Sequence, residues 1–179
     1  TQNGTNNFVY LQYANHDARL WGMDVSGRAE LFSDKTLGDF STRTVMSYVR
    51  GERMDGGNLY HMMPFNMKLA LDHRLGGWDS SVEMQFVDRK DDVQFIRNET
   101  ETPSYILLNA RTGYEWQKIR FDVGLDNVLD KQYYHPLAGA YLGDRYGMNP
   151  TTDPAVTVPW GRNVPGMGRS VYVGVSIKY

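Results

Sequence analysis

The chain has 179 residues, and its 19 Lys and Arg against 21 Asp and Glu give a net charge of −2 at pH 7. This balance excludes the broad basic surface of a nucleic-acid-binding protein. The absence of cysteine excludes disulfide scaffolds, thiol catalysis and Cys-ligated zinc or iron–sulfur centres. No apolar run approaches the roughly 18 residues of a membrane-spanning helix. The mean hydropathy of −0.53 does not establish a soluble protein, because membrane β-barrels alternate apolar and polar residues along each strand.

The chain begins in a segment that does not look like a natural N-terminus. Residues 1–7 read Thr-Gln-Asn-Gly-Thr-Asn-Asn, with neither an initiator Met nor a signal peptide. We therefore interpret the chain as a processed product or as part of a longer protein.

From residue 8 onward, apolar and polar side chains alternate with a period of two, which is the pattern of β-strands with two unlike faces. The first candidate strand, residues 8–13, has no plainly polar face. In the second, residues 23–31, the apolar side chains occupy the odd positions. In the third candidate strand, which contains Val45 and Val49, we expect these two valines to lie on the apolar face.

The alternation is clearest toward the C-terminus. Along residues 118–126 the odd positions are Ile, Phe, Val and Leu. The even positions that follow Lys118 are Arg, Asp, Gly and Asp. Several candidate strands exceed the about 5–6 residues usual in soluble proteins and match the about 9–11 of a membrane strand. The pattern predicts an all-β, antiparallel fold of about eight strands. The other candidates are residues 65–72, 78–86, 106–116 and 171–179.

Short and long connections alternate along the chain. Residues 75–77 and 116–118 form tight turns, whereas residues 53–62, 88–103 and 130–165 form long loops. An up-and-down barrel with its long loops at one end has this layout, which is typical of transmembrane β-barrels of the bacterial outer membrane. Aromatic residues gather near the predicted strand ends, as at a membrane interface. These residues are Phe32, Phe40, Trp78, Tyr105, Trp116, Tyr133 and Tyr134.

Two other interpretations remain open on these grounds. A self-contained outer-membrane protein of about eight strands, such as an adhesin or a lipid enzyme, fits the strand number and the chain length. A soluble ligand-binding β-barrel alternates apolar and polar residues in the same way.

Several motifs resemble those of the C-terminal barrel of TonB-dependent outer-membrane receptors. Residues 126–134, Asp-Asn-Val-Leu-Asp-Lys-Gln-Tyr-Tyr, resemble the family motif N-L-F-D-K-x-Y, and residues 164–169, Val-Pro-Gly-Met-Gly-Arg, resemble P-G-x-G/P-R. Residues 103–109 are similar to P-G-Y-T-L-L-N, residues 62–64 to I-P-P, and residues 21–25 to x-G-x-E-x. The residues that carry the motifs in structural roles are Asn127, Asp130, Tyr133, Gly166, Arg169 and the terminal aromatic Tyr179.

The resemblance implies a transmembrane barrel of about 22 strands that encloses a plug domain. Residues 1–179 then form the C-terminal part of that barrel, without the plug domain and the TonB box. The implied function is uptake across the outer membrane of a scarce nutrient, an iron–siderophore or other metal chelate, or copper. The implied partners are the TonB complex, outer-membrane lipid and the barrel-assembly machinery, which reads the terminal aromatic. We expect no nucleic-acid partner.

No arrangement of residues indicates catalysis. The four histidines are scattered, and no Gly-x-Ser-x-Gly, His-Glu-x-x-His or phosphate-binding loop occurs. Asp122 and Asp126 share a face with Arg120, which we interpret as a polar ladder with Arg111 and Glu115 as partners across the hairpin. We therefore expect no enzymatic activity and no intrinsic cofactor.

The loop of residues 130–165 is the strongest candidate for ligand binding. Connections in compact proteins usually have about 4–6 residues, and longer ones are often lids or binding surfaces. The resemblance implies that aromatic and Arg side chains of such loops contact a siderophore. The candidates are Tyr133, Tyr134, Tyr141, Arg145, Tyr146, Trp160 and Arg162.

A metal site is the second candidate. Thioether and imidazole groups suit copper, and especially Cu(I). His61, Met62 and Met63 are consecutive in one predicted loop, although adjacent side chains of an extended chain point apart. His135 and Met148 lie in the 130–165 loop.

Overall fold

The structure is a computed structural model that describes residues 15–141 and 161–178. Its seven strands form one antiparallel sheet in which every strand pairs with its neighbour along the chain. This confirms the all-β, up-and-down prediction, and the eighth predicted strand, residues 8–13, lies outside the described residues. The strands are β1 (Ala18–Asp34), β2 (Gly38–Arg53), β3 (Asn66–Leu75), β4 (Trp78–Val87), β5 (Tyr105–Trp116), β6 (Ile119–Asp126) and β7 (Ser170–Ile177).

Strand lengths and connections follow the predicted layout. β1 has 17 residues and β2 has 16, which is long enough to cross a bilayer at a tilt. Tight turns join β1 to β2, β3 to β4 and β5 to β6, while long loops join β2 to β3, β4 to β5 and β6 to β7. All three long connections therefore leave and re-enter the sheet at the same end. A 3₁₀ turn, Phe95–Arg97, is present in the β4–β5 loop.

No helix within the described residues has the length and apolar character needed to cross a bilayer.

The strand register sorts the side chains into two unlike faces. Val123 lies opposite Val173 and Thr112, and Leu71 lies opposite Val82 and Thr42, so one face of the sheet is a band of aliphatic side chains. We call this the apolar face. Its side chains are open to the surroundings, with Val173 72% exposed and Leu71 46% exposed. An apolar face of this extent without protein cover is what a hydrocarbon environment requires.

Aromatic pairs lie near both ends of the apolar face. Trp78 packs on Tyr114 with ring centroids 4.6 Å apart near the tight turns, and Phe32 stacks on Phe40 at 4.6 Å. Near the long loops, Trp21 meets Tyr48 edge-on. Of the aromatic residues predicted to lie at a membrane interface, Phe32, Phe40 and Trp78 are on this face. The prediction was wrong for Tyr105 and Tyr133, whose rings pack together in a buried cluster on the other side of the sheet.

Strand β2 corrects one prediction. Val45 pairs with Ser26 and Lys68, so Val45 and Val49 lie on the polar face, and the apolar face of β2 carries Met46 and Tyr48 instead. The expected assignment was wrong because both sets of alternate positions in β2 contain apolar residues. Pairing with β1 and β3, whose alternation is unambiguous, decides the register.

The opposite face, which we call the polar face, carries an ionic ladder. Arg120 does not pair with Glu115, its neighbour across the hairpin, but crosses Gly113 to bind both oxygens of Asp79 at 2.7 and 3.0 Å. Gly113 lies between Asp79 and Asp122 in the register, and its missing side chain leaves room for the guanidinium. The predicted ladder is thus confirmed, but its partners differ from those expected. Arg43 pairs with Asp72, and Lys178 pairs with Glu115.

Replacing Val82 with Arg tests the assignment of the two faces. Val82 lies in the middle of β4 on the apolar face, so we expect a guanidinium there to destabilise the membrane-inserted protein by about 2–4 kcal/mol. Equilibrium unfolding by guanidinium chloride in phospholipid vesicles measures the change. Ser81→Arg is the matched control, because Ser81 is the neighbouring residue on the polar face, and we expect it to change stability by less than about 1 kcal/mol. Equal losses for the two variants would contradict the assignment.

Candidate functional site

The three long loops meet at a buried ion pair. Lys90 and Glu99, both in the β4–β5 loop, are only 2% and 5% exposed and bind each other directly. Lys90 Nζ also donates to the carbonyl of Pro136 in the β6–β7 loop at 3.2 Å. Glu99 accepts from the backbone N–H of His61 in the β2–β3 loop at 3.0 Å and from that of Gln94 at 2.8 Å. One charged pair therefore connects all three loops.

Glu99 remains ionised in this buried position. Burial raises the pKa of its carboxyl group, but the hydrogen bond from Lys90 and the two backbone hydrogen bonds outweigh burial, so the pKa lies below its ordinary value. A carboxylate with all these donors satisfies the requirement that a buried charge be paired. The pair therefore acts as a fixed crosslink among the loops.

Further hydrogen bonds extend this crosslink. Gln94 Nε2 donates to the carbonyl of Asn58 at 3.0 Å, which ties the β4–β5 loop to the β2–β3 loop. Lys90 and Thr102 exchange two backbone hydrogen bonds at 2.9 and 3.2 Å across the β4–β5 loop. We call this assembly of the three loops the loop platform.

A small apolar cluster supports the loop platform on the polar face of the sheet. Val87, Tyr105 and Leu107 are buried there, and Met63 and Tyr133 from the neighbouring loops pack on them. The rings of Tyr105 and Tyr133 lie 4.6 Å apart. The loops are thus seated on the ends of β4 and β5 by apolar contact as well as by polar bonds.

Asn127 connects the end of β6 to both sides of the last loop. It is 3% exposed, and its φ of 51° lies in the left-handed region that Asn tolerates. Its backbone N–H donates to Asn109 Oδ1 at 2.9 Å. Its side-chain amide donates to the carbonyls of Lys131 and Met167 and accepts from the Lys131 N–H. This accounts for the motif asparagine as a structural residue.

The other motif residues join the two ends of the same loop. Asp130 Oδ1 accepts from the backbone N–H of Arg169 at 3.0 Å, and the N–H of Gly166 donates to the carbonyl of Tyr133 at 2.8 Å. A side chain at Gly166 would overlap the ring of Tyr133. The β6–β7 loop is therefore closed at its base by residues of both motifs. Tyr179 lies outside the described residues.

The predicted ligand-binding residues fall into three groups. Tyr133 is half-buried in the apolar cluster, and Tyr134 is half-buried beside Pro165. The backbone of Tyr141 pairs with Arg162 and Gly161 at 2.7 Å each. The remaining candidates, Arg145, Tyr146 and Trp160, lie outside the described residues.

The predicted metal ligands are not all brought together. Met62 packs over Gly51 on the polar face, and Met63 belongs to the apolar cluster. His61 and His135 line one cleft of about 230 Å³ within the loop platform. Met148 lies outside the described residues. Within residues 15–141 and 161–178, no three His, Asp or Glu side chains converge in a way that could hold a metal ion.

Sequence reasoning did not find the residues at the centre of the loop platform. Lys90 and Glu99 belong to a stretch rich in charged residues, and nothing in their spacing distinguishes a buried pair from exposed charges. Asn109 ends the motif of residues 103–109, but nothing in the sequence indicates the hydrogen bond that it accepts from Asn127, 18 positions away.

Replacing Asn127 with Ala tests the closure of the last loop. The variant loses three side-chain hydrogen bonds and keeps the left-handed backbone, so we expect the free energy of unfolding to fall by about 2–4 kcal/mol. Denaturant unfolding in vesicles measures the change. Asn127→Gly is the matched control: it lacks the same bonds but accepts the positive φ, so it should be about 1 kcal/mol more stable than the Ala variant. A wild-type stability of the Ala variant would contradict the role of Asn127.

Replacing Glu99 with Gln tests the buried pair. The substitution leaves the Lys90 ammonium buried without a counter-charge, so we expect the loop platform to lose about 3–5 kcal/mol of local stability. Hydrogen exchange at the backbone amides of His61 and Gln94 reports this loss. The double variant Lys90→Met with Glu99→Gln removes the uncompensated charge and should recover part of it.

The same residue predicts a dependence on pH. Because folding lowers the pKa of Glu99 below 4.5, the stability it contributes is complete above that pH and is lost as the pH falls through the lowered pKa. Amide protection in the wild type should therefore decrease in acid, and the decrease should be absent in Glu99→Gln. An identical acid response in both proteins would show that Glu99 does not control the loop platform.

Comparison with known proteins identifies the family of this sheet. The family model described as "TonB dependent receptor-like, beta-barrel" matches residues 1–128. The fold is similar to the structure described as "Copper transporter OprC", with a TM-score of 0.76 and 20% identity, covering 92% of this chain and 25% of that one. It is also similar to the ferric yersiniabactin uptake receptor FyuA from Yersinia pestis, with a TM-score of 0.62 and 16% identity, covering 90% of this chain and 24% of that one.

The chain spans about a quarter of the length of these two structures. No curated protein sequence matches it significantly. The family model covers most of the chain, and barrels of this family are outer-membrane proteins, which agrees with the exposed apolar face. The chain belongs to the TonB-dependent receptor family, as part of its β-barrel.

Proposed function

We propose that this chain supplies part of the wall and several outer loops of a receptor that takes up a scarce nutrient, an iron–siderophore or another metal chelate, across the bacterial outer membrane. One observation carries the proposal: an exposed aliphatic face and an ionic face lie on opposite sides of the same strands, with the described long loops together at one end. The family match favours this interpretation over a self-contained outer-membrane protein and over a soluble ligand-binding barrel.

Each part of the sheet has a role in this proposal. The apolar face contacts outer-membrane lipid, and the polar face with its Arg–Asp pairs lines the aqueous interior. The loop platform holds the ligand-facing side chains, for which Tyr134, Tyr141 and Arg162 are the described candidates. Energy comes from the TonB complex, which we expect to act outside this chain, and the barrel-assembly machinery inserts the barrel into the outer membrane. We assign no catalytic role and no intrinsic cofactor.

The ligand has two candidate classes. An iron chelate suits the aromatic and Arg side chains of the β6–β7 loop, and a protein of similar fold is described as a ferric yersiniabactin uptake receptor. Copper is the second candidate, because His61 and His135 line one cleft and imidazole is a copper ligand. The other protein of similar fold is described as a copper transporter.

Uptake by cells that produce the complete receptor tests the proposal. Cells are supplied with radioactive iron bound to a panel of chelators or with copper, and accumulation is compared with that of a strain lacking TonB. We expect accumulation of one of these cargoes that requires both the receptor and TonB. Accumulation that is identical with and without TonB, or without the receptor, would contradict the proposal. A selective effect on copper would favour the second ligand class over iron chelates.

A further inference from the structure

The cleft shared by His61 and His135 is a distinct feature of the loop platform. It has a volume of about 230 Å³ and lies between the β2–β3, β4–β5 and β6–β7 loops. His61, stacked on the ring of Tyr60, forms one wall, and the segment around His135 forms another. The Lys90–Glu99 pair holds both walls, because His61 N–H binds Glu99 and the carbonyl of Pro136 binds Lys90. The cleft is therefore preorganised.

The ring of His135 is oriented as a hydrogen-bond donor. The backbone N–H of Leu137 donates to His135 Nδ1 at 3.2 Å, so Nδ1 carries no proton. Partial burial and the positive charge of Lys90 lower the pKa of this imidazole, which favours the neutral ring. A neutral ring with a bare Nδ1 carries its proton on Nε2. A metal ion at Nδ1 would have to displace the Leu137 hydrogen bond, so this geometry favours an acceptor atom opposite Nε2.

The cleft also carries an uncompensated positive charge. The guanidinium of Arg97 lies 5.5 Å from the centroid of the Tyr60 ring, and its side chain is exposed. It forms no salt bridge with the described residues, whereas the charges of Lys90 and Glu99 cancel each other. Arg97 is therefore available to an anionic group of a ligand.

We propose that this cleft binds a carboxylate group of a small molecule, with Arg97 supplying the charge and His135 Nε2–H supplying a hydrogen bond. A single guanidinium matches a singly charged, planar carboxylate, which it can bind through two parallel hydrogen bonds. The inference rests on the proposed uptake function and narrows it, because it assigns the transported chelate a free carboxylate at its outer end.

Binding to the complete receptor in detergent tests the cleft. The probe is succinate, and butane-1,4-diamine, of similar length and opposite charge, is the control ligand. We expect succinate to bind and the diamine not to bind. Arg97→Gln should weaken succinate binding by about tenfold or more, because a charge-assisted hydrogen bond is lost. Arg89→Gln is the matched control: Arg89 is an exposed arginine of the same loop outside this cleft, and its loss should leave the affinity unchanged. Equal losses in the two variants would attribute binding to net charge and overturn the proposal.

Two variants of His135 separate its donor from its structural contact. In His135→Asn the side-chain oxygen can still accept from Leu137 N–H, but no donor remains at the Nε2 position, so succinate binding should weaken. In His135→Gln the amide nitrogen approximates the Nε2 donor and should retain more of the affinity. The reverse order, or no effect of either variant, would overturn the role of His135. These binding measurements do not depend on transport. If the receptor bound succinate as expected but cells showed no TonB-dependent uptake, the proposed function would be rejected and the assignment of the cleft would stand.

Discussion

The need to pair every backbone N–H and C=O group within the hydrocarbon layer constrains the rest of this structure. A bilayer core offers no water to unpaired backbone groups, so each strand must be hydrogen-bonded along its length. The seven described strands meet this need by pairing in chain order. Because adjacent side chains of a paired strand point to opposite faces, the same ladder produces both the apolar face and the polar face. Only the outer edges of β1 and β7 lack a partner strand among the described residues.

Such a ladder also determines where specific recognition can be built. Tight turns leave little surface at one end, whereas the long loops at the other end are free of the period-two restriction. Free loops lose conformational entropy when they order, and here buried contacts compensate for that loss. The Lys90–Glu99 pair and the Asn127 hydrogen bonds are those contacts. The loop platform is therefore attached to the sheet by buried charged and polar contacts.

The sequence predicted the wall better than the loop contacts. Residues 118–126 alternate so regularly that their facing could be assigned in advance, and the register of β6 agrees. In β2, where Val45 and Val49 compete with Met46 and Tyr48, only the neighbouring strands decide the facing. At the site, His61 and His135 belong to separate loops, so the sequence did not predict that they line one cleft. The sequence instead grouped His61 with Met62 and Met63, which pack over Gly51 and in the apolar cluster.

By itself the sequence determined the strand pattern and the alternation of turns and loops. These features depend on local geometry, since a period of two requires no knowledge of distant residues. Only the tertiary structure decided that Arg120 reaches Asp79 across Gly113 and that Lys90 binds Glu99 and Pro136. Those contacts join segments up to 46 residues apart, and they exist because strand pairing brings the loop ends together.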